Sequence, residues 1–406
     1  MIKAVLLDLD DTLITSDIHN FFPAYLRELG QYAAAISPPE QFVDQMMSSF
    51  ERTLYQYDPA RPLYERVMER FSEDIGHELA TLEPLFASFY RDAYQALSGW
   101  IRPRPESRRL LEWLFDHDYT VVVATNPGLP EAAIHHRMRW GDIPPEQYDF
   151  DMITTLESMH FGKPTAEYYS EIVLRLGVEP HEAIMVGDDW DADLVGAAAA
   201  GLHTFWVTTE GSEPPDGSIQ VSGYGTYESF VEKVLDGWLD TLPTDGNISR
   251  SSLIHRLAAY PAAIDAARRP YLRDVLECNP AEDEWSARDI VCHLRDHEAQ
   301  TRARLERILA EDNPFLSADT NPWAAGALYR RVPFEEAFDV FVERREAMVE
   351  WLKTIPEEGW KQQARDAIFG PTCFEEVVSF LADHDRMHLQ QMKDAIEHGV
   401  RACDGA

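Results

Sequence analysis

Short apolar runs that stop abruptly at polar or glycine residues constrain this chain more than any other feature. Ala4-Val5-Leu6-Leu7 stops at Asp8, Val121-Val122-Val123 gives way to Thr125-Asn126, and Ala183-Ile184-Met185-Val186 stops at Gly187-Asp188. Apolar runs of this length without alternation suit strands covered on both faces. His203 to Val207 reads as a further strand, and helical pattern fills Pro105 to Asp116 and Ala166 to Leu176. Strands alternating with helices predict an α/β fold, a doubly wound parallel sheet with helices on both faces. In such sheets active sites form beyond the carboxyl ends of the strands.

The alternation is interrupted once and then ends. Residues 15 to about 100 carry amphipathic helical patterns, such as Phe21 to Leu29 and Leu63 to Phe71, and read as a helical insertion after the first strand. Gly211 to Gly225 reads as a loop, because helical pattern returns at Tyr227 to Leu239. The short, turn-rich stretch Thr241 to Asn247 is the better boundary. Beyond it only long helical patterns appear: Ser251 to Arg268, Ser286 to Ala310, Phe334 to Thr354 and Phe374 to Glu397. Ser286 and Asp289 have the spacing of a capping box. Four helices of this length predict an all-α, up-and-down four-helix bundle. The expected domains are 1–243, with the insertion at about 15–100, and 248–402.

The 406 residues carry a formal net charge of -35. A field of that sign opposes binding to nucleic acid or to anionic membrane surfaces, which need clustered Lys and Arg. No apolar stretch approaches the ~20 residues that span a bilayer, and acids at positions 8, 10 and 11 exclude a signal-peptide pattern. The four cysteines, Cys278, Cys292, Cys373 and Cys403, show no CxxC spacing. Scattered thiols of this kind predict a cytoplasmic setting.

Four motifs follow one another in order at the predicted strand ends. Asp8-Leu9-Asp10-Asp11-Thr12 places two carboxylates two residues apart; Thr125-Asn126, Gly162-Lys163-Pro164 and Gly187-Asp188-Asp189 with Asp193 come after it. Each alone is a common strand-end cluster. The ordered set resembles the haloacid dehalogenase superfamily, whose Rossmann-like sheet and helical cap match the predicted sheet and insertion. That resemblance implies a magnesium-dependent phosphomonoester hydrolase. Asp8 would be the nucleophile that becomes an aspartyl-phosphate, and Asp10 the general acid and base. Asp8, the Asp10 carbonyl and Asp188 would hold Mg²⁺, with Asp189 and Asp193 as outer candidates. Thr125, Asn126 and Lys163 would bind the phosphate of a small phosphorylated metabolite. Lys163 is one of three lysines in residues 1–243, with Lys3 and Lys233. A halide leaves without a proton, so Asp10 favours an ester over a dehalogenase substrate.

A second constellation lies in the predicted bundle. Phe374, Val377, Leu381, His384 and His388 form a seam, and Ile290, His293, Leu294 and His297 share a face. Spacing leaves two readings open: solvated histidines, or three ligands for one metal. Trp285 to Leu294 together with His384-Asp-Arg-Met-His388-Leu-Gln-Gln resembles the DinB-like bundles. The resemblance implies metal ligation by His293, His384 and His388, with Zn²⁺ or Ni²⁺ as the metal. His297 would be a substitute ligand or base, and Asp296 an orienting carboxylate. It also brings alternatives for this domain: a thiol transferase or isomerase using a low-molecular-weight thiol, or a non-catalytic dimerisation or regulatory module in a homodimer.

Overall fold

The computed structural model describes residues 1–215, 217, 219–245, 248–281, 284–317 and 326–404. Gly246 and Asn247 of the expected boundary lie outside them, as does the Cys403 side chain. The chain forms two compact units, one of residues 1–169 and 178–247, the other of residues 170–177 and 248–406.

The first unit is built on a six-stranded sheet. In spatial order its strands are Met152–Ile153, Thr120–Val123, Ala4–Leu7, Ala183–Gly187, His203–Val207 and Gly223–Gly225, and every pairing is parallel. Ala4–Leu7 lies centrally, and none of its four side chains reaches solvent. Its register sets Leu7 opposite both Val123 and Val186. The residues after these three strands therefore emerge at one sheet edge.

Two sequence readings are corrected in this unit. The Gly211 to Gly225 loop ends in a strand, whose Gly223 lies so close to the Phe205 ring that a β-carbon would stand 2.8 Å from it. A glycine edge strand has no apolar run to announce it. The Tyr227 to Leu239 pattern is also broken: the helix is Tyr227–Leu235, and Gly237, at φ 82°, turns the chain into a separate 3₁₀ turn at Trp238–Thr241.

The insertion is held at its base by a two-stranded antiparallel ladder, Ile14–Ser16 against Ile101–Pro103. Four helices lie between them: Ile18–Tyr32, Pro39–Leu54, Leu63–Ile75 and Leu79–Asp92. Their core is aromatic, with Phe21, Tyr25, Phe89, Tyr90 and Tyr94 in mutual ring contact. The Tyr25 and Tyr90 hydroxyls satisfy each other at 2.8 Å, whereas the Tyr94 hydroxyl is buried without a hydrogen-bond partner.

The second unit has long helices Arg250–Arg268, Ala287–Ala310, Phe334–Thr354 and Phe374–Asp404. Ser286 caps the second, and the capping box with Asp289 forms. The bundle is not the expected up-and-down arrangement. The first helix packs on the third and fourth, and the second also packs on the third and fourth, so consecutive helices one and two sit diagonally. Sequence periodicity marks a buried stripe but not the neighbour that covers it. This unit also carries a three-stranded sheet: Gly370–Cys373 pairs antiparallel with Gln363–Asp366, which pairs parallel with Phe315–Leu316.

Arg345 ties the bundle together. Wholly buried on the third helix, it makes a bidentate pair with Glu298 at 2.9 and 2.6 Å on the second helix. It also donates to Asp385 at 2.6 Å on the fourth and to the Leu257 carbonyl at 3.1 Å on the first.

Candidate functional site

The shared strand edge gathers the four sequence motifs. Asp8 follows the central strand, fixed by its N–H donating to the Val186 carbonyl at 2.9 Å. Lys163 reaches in from the turn before helix Ala166–Leu176; its Nζ donates to Asp8 Oδ1 at 2.7 Å and Asp193 Oδ1 at 2.5 Å. Asp188 is held through its carbonyl, which accepts from Trp206 Nε1 at 2.9 Å. Oxygens of Asp8, Asp188 and Asp193 all lie within 4.8 Å of one another.

Two glycines make this convergence possible. A β-carbon on Gly187 would stand 2.1 Å from Asp193 Oδ2, and one on Gly196 would stand 2.1 Å from the Pro164 carbonyl. The first lets Asp193 lie over the strand end, and the second lets its helix press on the Lys163-Pro164 turn.

Electrostatics identifies what this cluster lacks. Burial raises the carboxyl of Asp8 well above its ordinary range, against the opposing pull of Lys163. Burial, followed by Asp193 and Asp11, pushes Asp188 up to about 7. Burial opposes the Lys163 charge, yet Asp193 and Asp8 hold its ammonium well above the usual lysine value. One ammonium thus cannot neutralise three converging carboxylates. Hard oxygen donors with uncompensated negative charge fit a divalent cation such as Mg²⁺.

For Asp10 the sequence expectation is a metal-facing carbonyl with a side chain kept for acid and base work, and the side chain lies apart from the three converging carboxylates. Its Oδ1 accepts from Ser16 Oγ at 2.6 Å and from the Arg137 guanidinium, so its carboxylate stands outside the three-carboxylate group. Asp193, expected further out, stands inside it. Asp189 Oδ1 instead accepts from the backbone N–H groups of Asp191 and Ala192, capping the turn that carries Asp193. The Thr125 carbonyl accepts from Thr154 Oγ1 at 2.7 Å and Tyr168 OH at 2.8 Å, which fixes the Thr125-Asn126 loop.

Arg137 was missed by sequence reasoning. Its helix, Glu131–Trp140, buries Ala133, Ile134, Arg137 and Met138, so a charge on the buried stripe was the available signal. These residues open onto a cavity of about 610 Å³, lined by Asp8, Asp10, Thr125, Asn126, Lys163 and Asp188 at one end and by insertion helices elsewhere.

In the second unit, nitrogens of His293, His384 and His388 lie within 4.8 Å of one another, and Nε2 of His293 and His384 are 3.0 Å apart. His388 Nδ1 meets Gln391 Oε1 at 2.8 Å, which leaves Nε2 to face the group. Burial, then the neighbouring histidines, holds His293 down at about 3 and His388 at about 4. Imidazoles kept neutral, with lone pairs converging, fit a borderline metal such as Zn²⁺ or Ni²⁺.

His297 is not in this group: its ring stacks on His384, with centroids 3.8 Å apart and planes at 17°. Asp296 pairs with Arg295 and Arg344 rather than a histidine. The carboxylate beside one of the three histidines is Asp385, whose Oδ1 lies 3.4 Å from His384 Nδ1. Among the described residues no cysteine joins the group; Cys292 is buried, its thiol pushed up to about 11 chiefly by burial.

Residues 2–201 match the model of haloacid dehalogenase-like hydrolases, and residues 249–392 match that of the DinB superfamily. The chain is 30% identical over 212 residues to glyceraldehyde 3-phosphate phosphatase of Methanopyrus kandleri, covering 50% of this chain and 83% of that protein. It is 25% identical over 224 residues to the protein of the same name from Methanothermobacter thermautotrophicus, covering 55% and 93%. Among solved structures, 2-haloacid dehalogenase of Pseudomonas syringae pv. Tomato aligns at 24% identity over 59% of this chain and 100% of its own, with a TM-score of 0.42. The chain belongs to the haloacid dehalogenase-like hydrolase family, and a DinB superfamily region follows the hydrolase part. No helix among the described residues is long and apolar enough to cross a membrane.

Proposed function

We propose that residues 1–243 are a Mg²⁺-dependent phosphomonoester hydrolase with a cap at about 15–100, and that residues 248–402 are a divalent-metal bundle. The observation that carries the first reading is the meeting of Asp8, Asp10, Thr125, Lys163 and Asp188 from four separated segments around one cavity. An Asp8 oxygen attacks phosphorus, and the bond from phosphorus to the ester oxygen breaks. Asp10 gives its proton to the departing alkoxide. Asp10, now a carboxylate, takes a proton from water; the hydroxide attacks phosphorus, the bond to Asp8 breaks, and phosphate leaves. Ser16 and Arg137 hold Asp10 in place for both transfers. Thr125, Asn126 and Lys163 bind the phosphate oxygens. Asp8 and Asp188, with the Asp10 carbonyl, hold Mg²⁺, and Asp193 secures Lys163. The metal ion, when bound, neutralises charge on the transferring phosphoryl group.

Phosphatase relatives support a small phosphorylated substrate. The presence of Asp10 supports an ester over a haloacid, because a departing halide needs no proton. The Asp8→Asn variant is expected to lose all Mg²⁺-dependent hydrolysis of an aryl phosphate; undiminished turnover overturns the reading. For the bundle, three histidines without a cysteine support a Zn²⁺ or Ni²⁺ site with a position left for a further ligand, and so a reactive rather than purely structural metal. A low-molecular-weight thiol is the proposed occupant of that position.

A further inference from the structure

We propose that the alcohol released at the carboxylate site is apolar, several carbons long and free of negative charge. This narrows the phosphomonoester reading and rests on it. The cavity of about 610 Å³ extends well beyond the phosphate-handling residues, and the extension is walled by the insertion. Phe22, Met46, Met47, Phe50, Met68 and Phe86 line it. They come from all four insertion helices, so each helix turns at least one apolar side chain toward the same space. The wall begins next to the chemistry: a β-carbon on Gly128, two residues beyond Asn126, would stand 3.3 Å from Phe50 Cζ. A triose or sugar would set most of its hydroxyls against these apolar side chains, with Tyr64, Glu83 and Glu157 among the polar exceptions on that wall, and unpaired polar groups weaken binding. An alkyl or aryl body gains from the same surface, and the thioethers adapt to its shape.

Charge narrows the class further. The cations lining the cavity are Arg137 and Lys163, and both already bond carboxylates: Arg137 to Asp10, Lys163 to Asp8 and Asp193. Glu83 and Glu157 add negative charge on the wall away from the reacting end. A carboxylate or second phosphate on the substrate would meet repulsion with no cation left among the described lining residues to pair it.

The test uses the full chain with Mg²⁺ and straight-chain alkyl phosphates from ethyl to octyl, with acetyl phosphate, glycerol phosphate and phosphoglycolate beside them. The expected result is a kcat/KM that rises about two- to fourfold per added methylene until the cavity fills, with phosphoglycolate the poorest substrate. A flat or falling series, with glycerol phosphate or phosphoglycolate turned over as fast as octyl phosphate, overturns the proposal and leaves the phosphatase reading standing. Absence of turnover for every phosphate, acetyl phosphate included, removes the phosphatase reading and the proposal with it. The Met47→Ser and Phe86→Asn variants, checked for a cooperative melt, are each expected to halve the gain per methylene at least. A slope unchanged in a folded variant of either kind overturns the assignment of this wall to the substrate.

Discussion

At Gly187 the backbone conformation is secondary to space: a β-carbon there would stand 2.1 Å from Asp193 Oδ2. The Gly187→Ala variant must therefore push Asp193 off the strand end and away from Lys163 and Asp8. Losing a carboxylate that orients a metal site costs roughly 10- to 100-fold in metal affinity. We expect the Mg²⁺ concentration for half-maximal hydrolysis to rise by that order in a folded Gly187→Ala protein; a Mg²⁺ titration of activity reads it directly, and an unmoved midpoint would show that Asp193 has no part in the site. Asp10 invites a different test, because its proposed work is proton transfer. Asp10→Asn is expected to lower kcat on alkyl phosphates by about 10²- to 10⁴-fold. With p-nitrophenyl phosphate, whose leaving group needs no proton, the first step should survive, so a burst of nitrophenolate followed by slow turnover is the expected signature. Equal losses in the burst and the steady state would remove Asp10 from the role of acid.

Elements differ in how openly the sequence announces them. The three central strands were legible because a run such as Ala4–Leu7 is buried on both faces and stops where the chemistry begins. Gly223–Gly225 was not, since what it offers the sheet is backbone and closeness to Phe205 rather than side chains. In the site, Asp8, Lys163 and Asp188 were legible from motif order, whereas Arg137 and Arg345 required noticing a charge on an apolar stripe. Arg345 shows what such a residue does at this scale. It bonds partners on the first, second and fourth helices from its own place on the third. The diagonal placement of helices one and two follows from packing that no single stripe encodes, and Arg345 is the side chain that touches every member. Arg345→Met removes the cation that bonds both Glu298 and Asp385, and breaking such a buried pair costs about 3–5 kcal/mol. Urea denaturation followed by a probe in this unit should show that loss as a lowered midpoint. Adding Glu298→Gln and Asp385→Asn should recover part of it, because the stranded charges go as well. If Arg345→Met melts at the wild-type urea concentration, the network is not what holds the helices.

At the scale of the whole molecule, the chain presents two clusters of metal-ligating side chains of opposite chemistry under a net charge of -35. Asp8, Asp188 and Asp193 offer hard oxygens; His293, His384 and His388 offer neutral nitrogens. Hard, strongly hydrated Mg²⁺ suits the first set, whereas imidazole favours Zn²⁺ or Ni²⁺, which bind nitrogen far more tightly along the divalent series. The two sites should thus separate on chelation and refilling. Full-length protein stripped with EDTA and supplied with Mg²⁺ alone is expected to regain phosphatase activity while its histidine site stays empty by elemental analysis. Zn²⁺ or Ni²⁺ added next should raise the unfolding temperature of the bundle, since a ligand that binds the native state stabilises it by mass action, by about 2.7 kcal/mol at a hundredfold excess over Kd. His384→Ala should abolish that thermal shift and the bound equivalent of metal, yet leave the Mg²⁺-restored hydrolysis intact. Full zinc occupancy in His384→Ala would move the site elsewhere. Failure of Mg²⁺ alone to restore hydrolysis would show that the bundle's metal is needed for the phosphatase reaction, and the two halves would then have to be read as one enzyme rather than two.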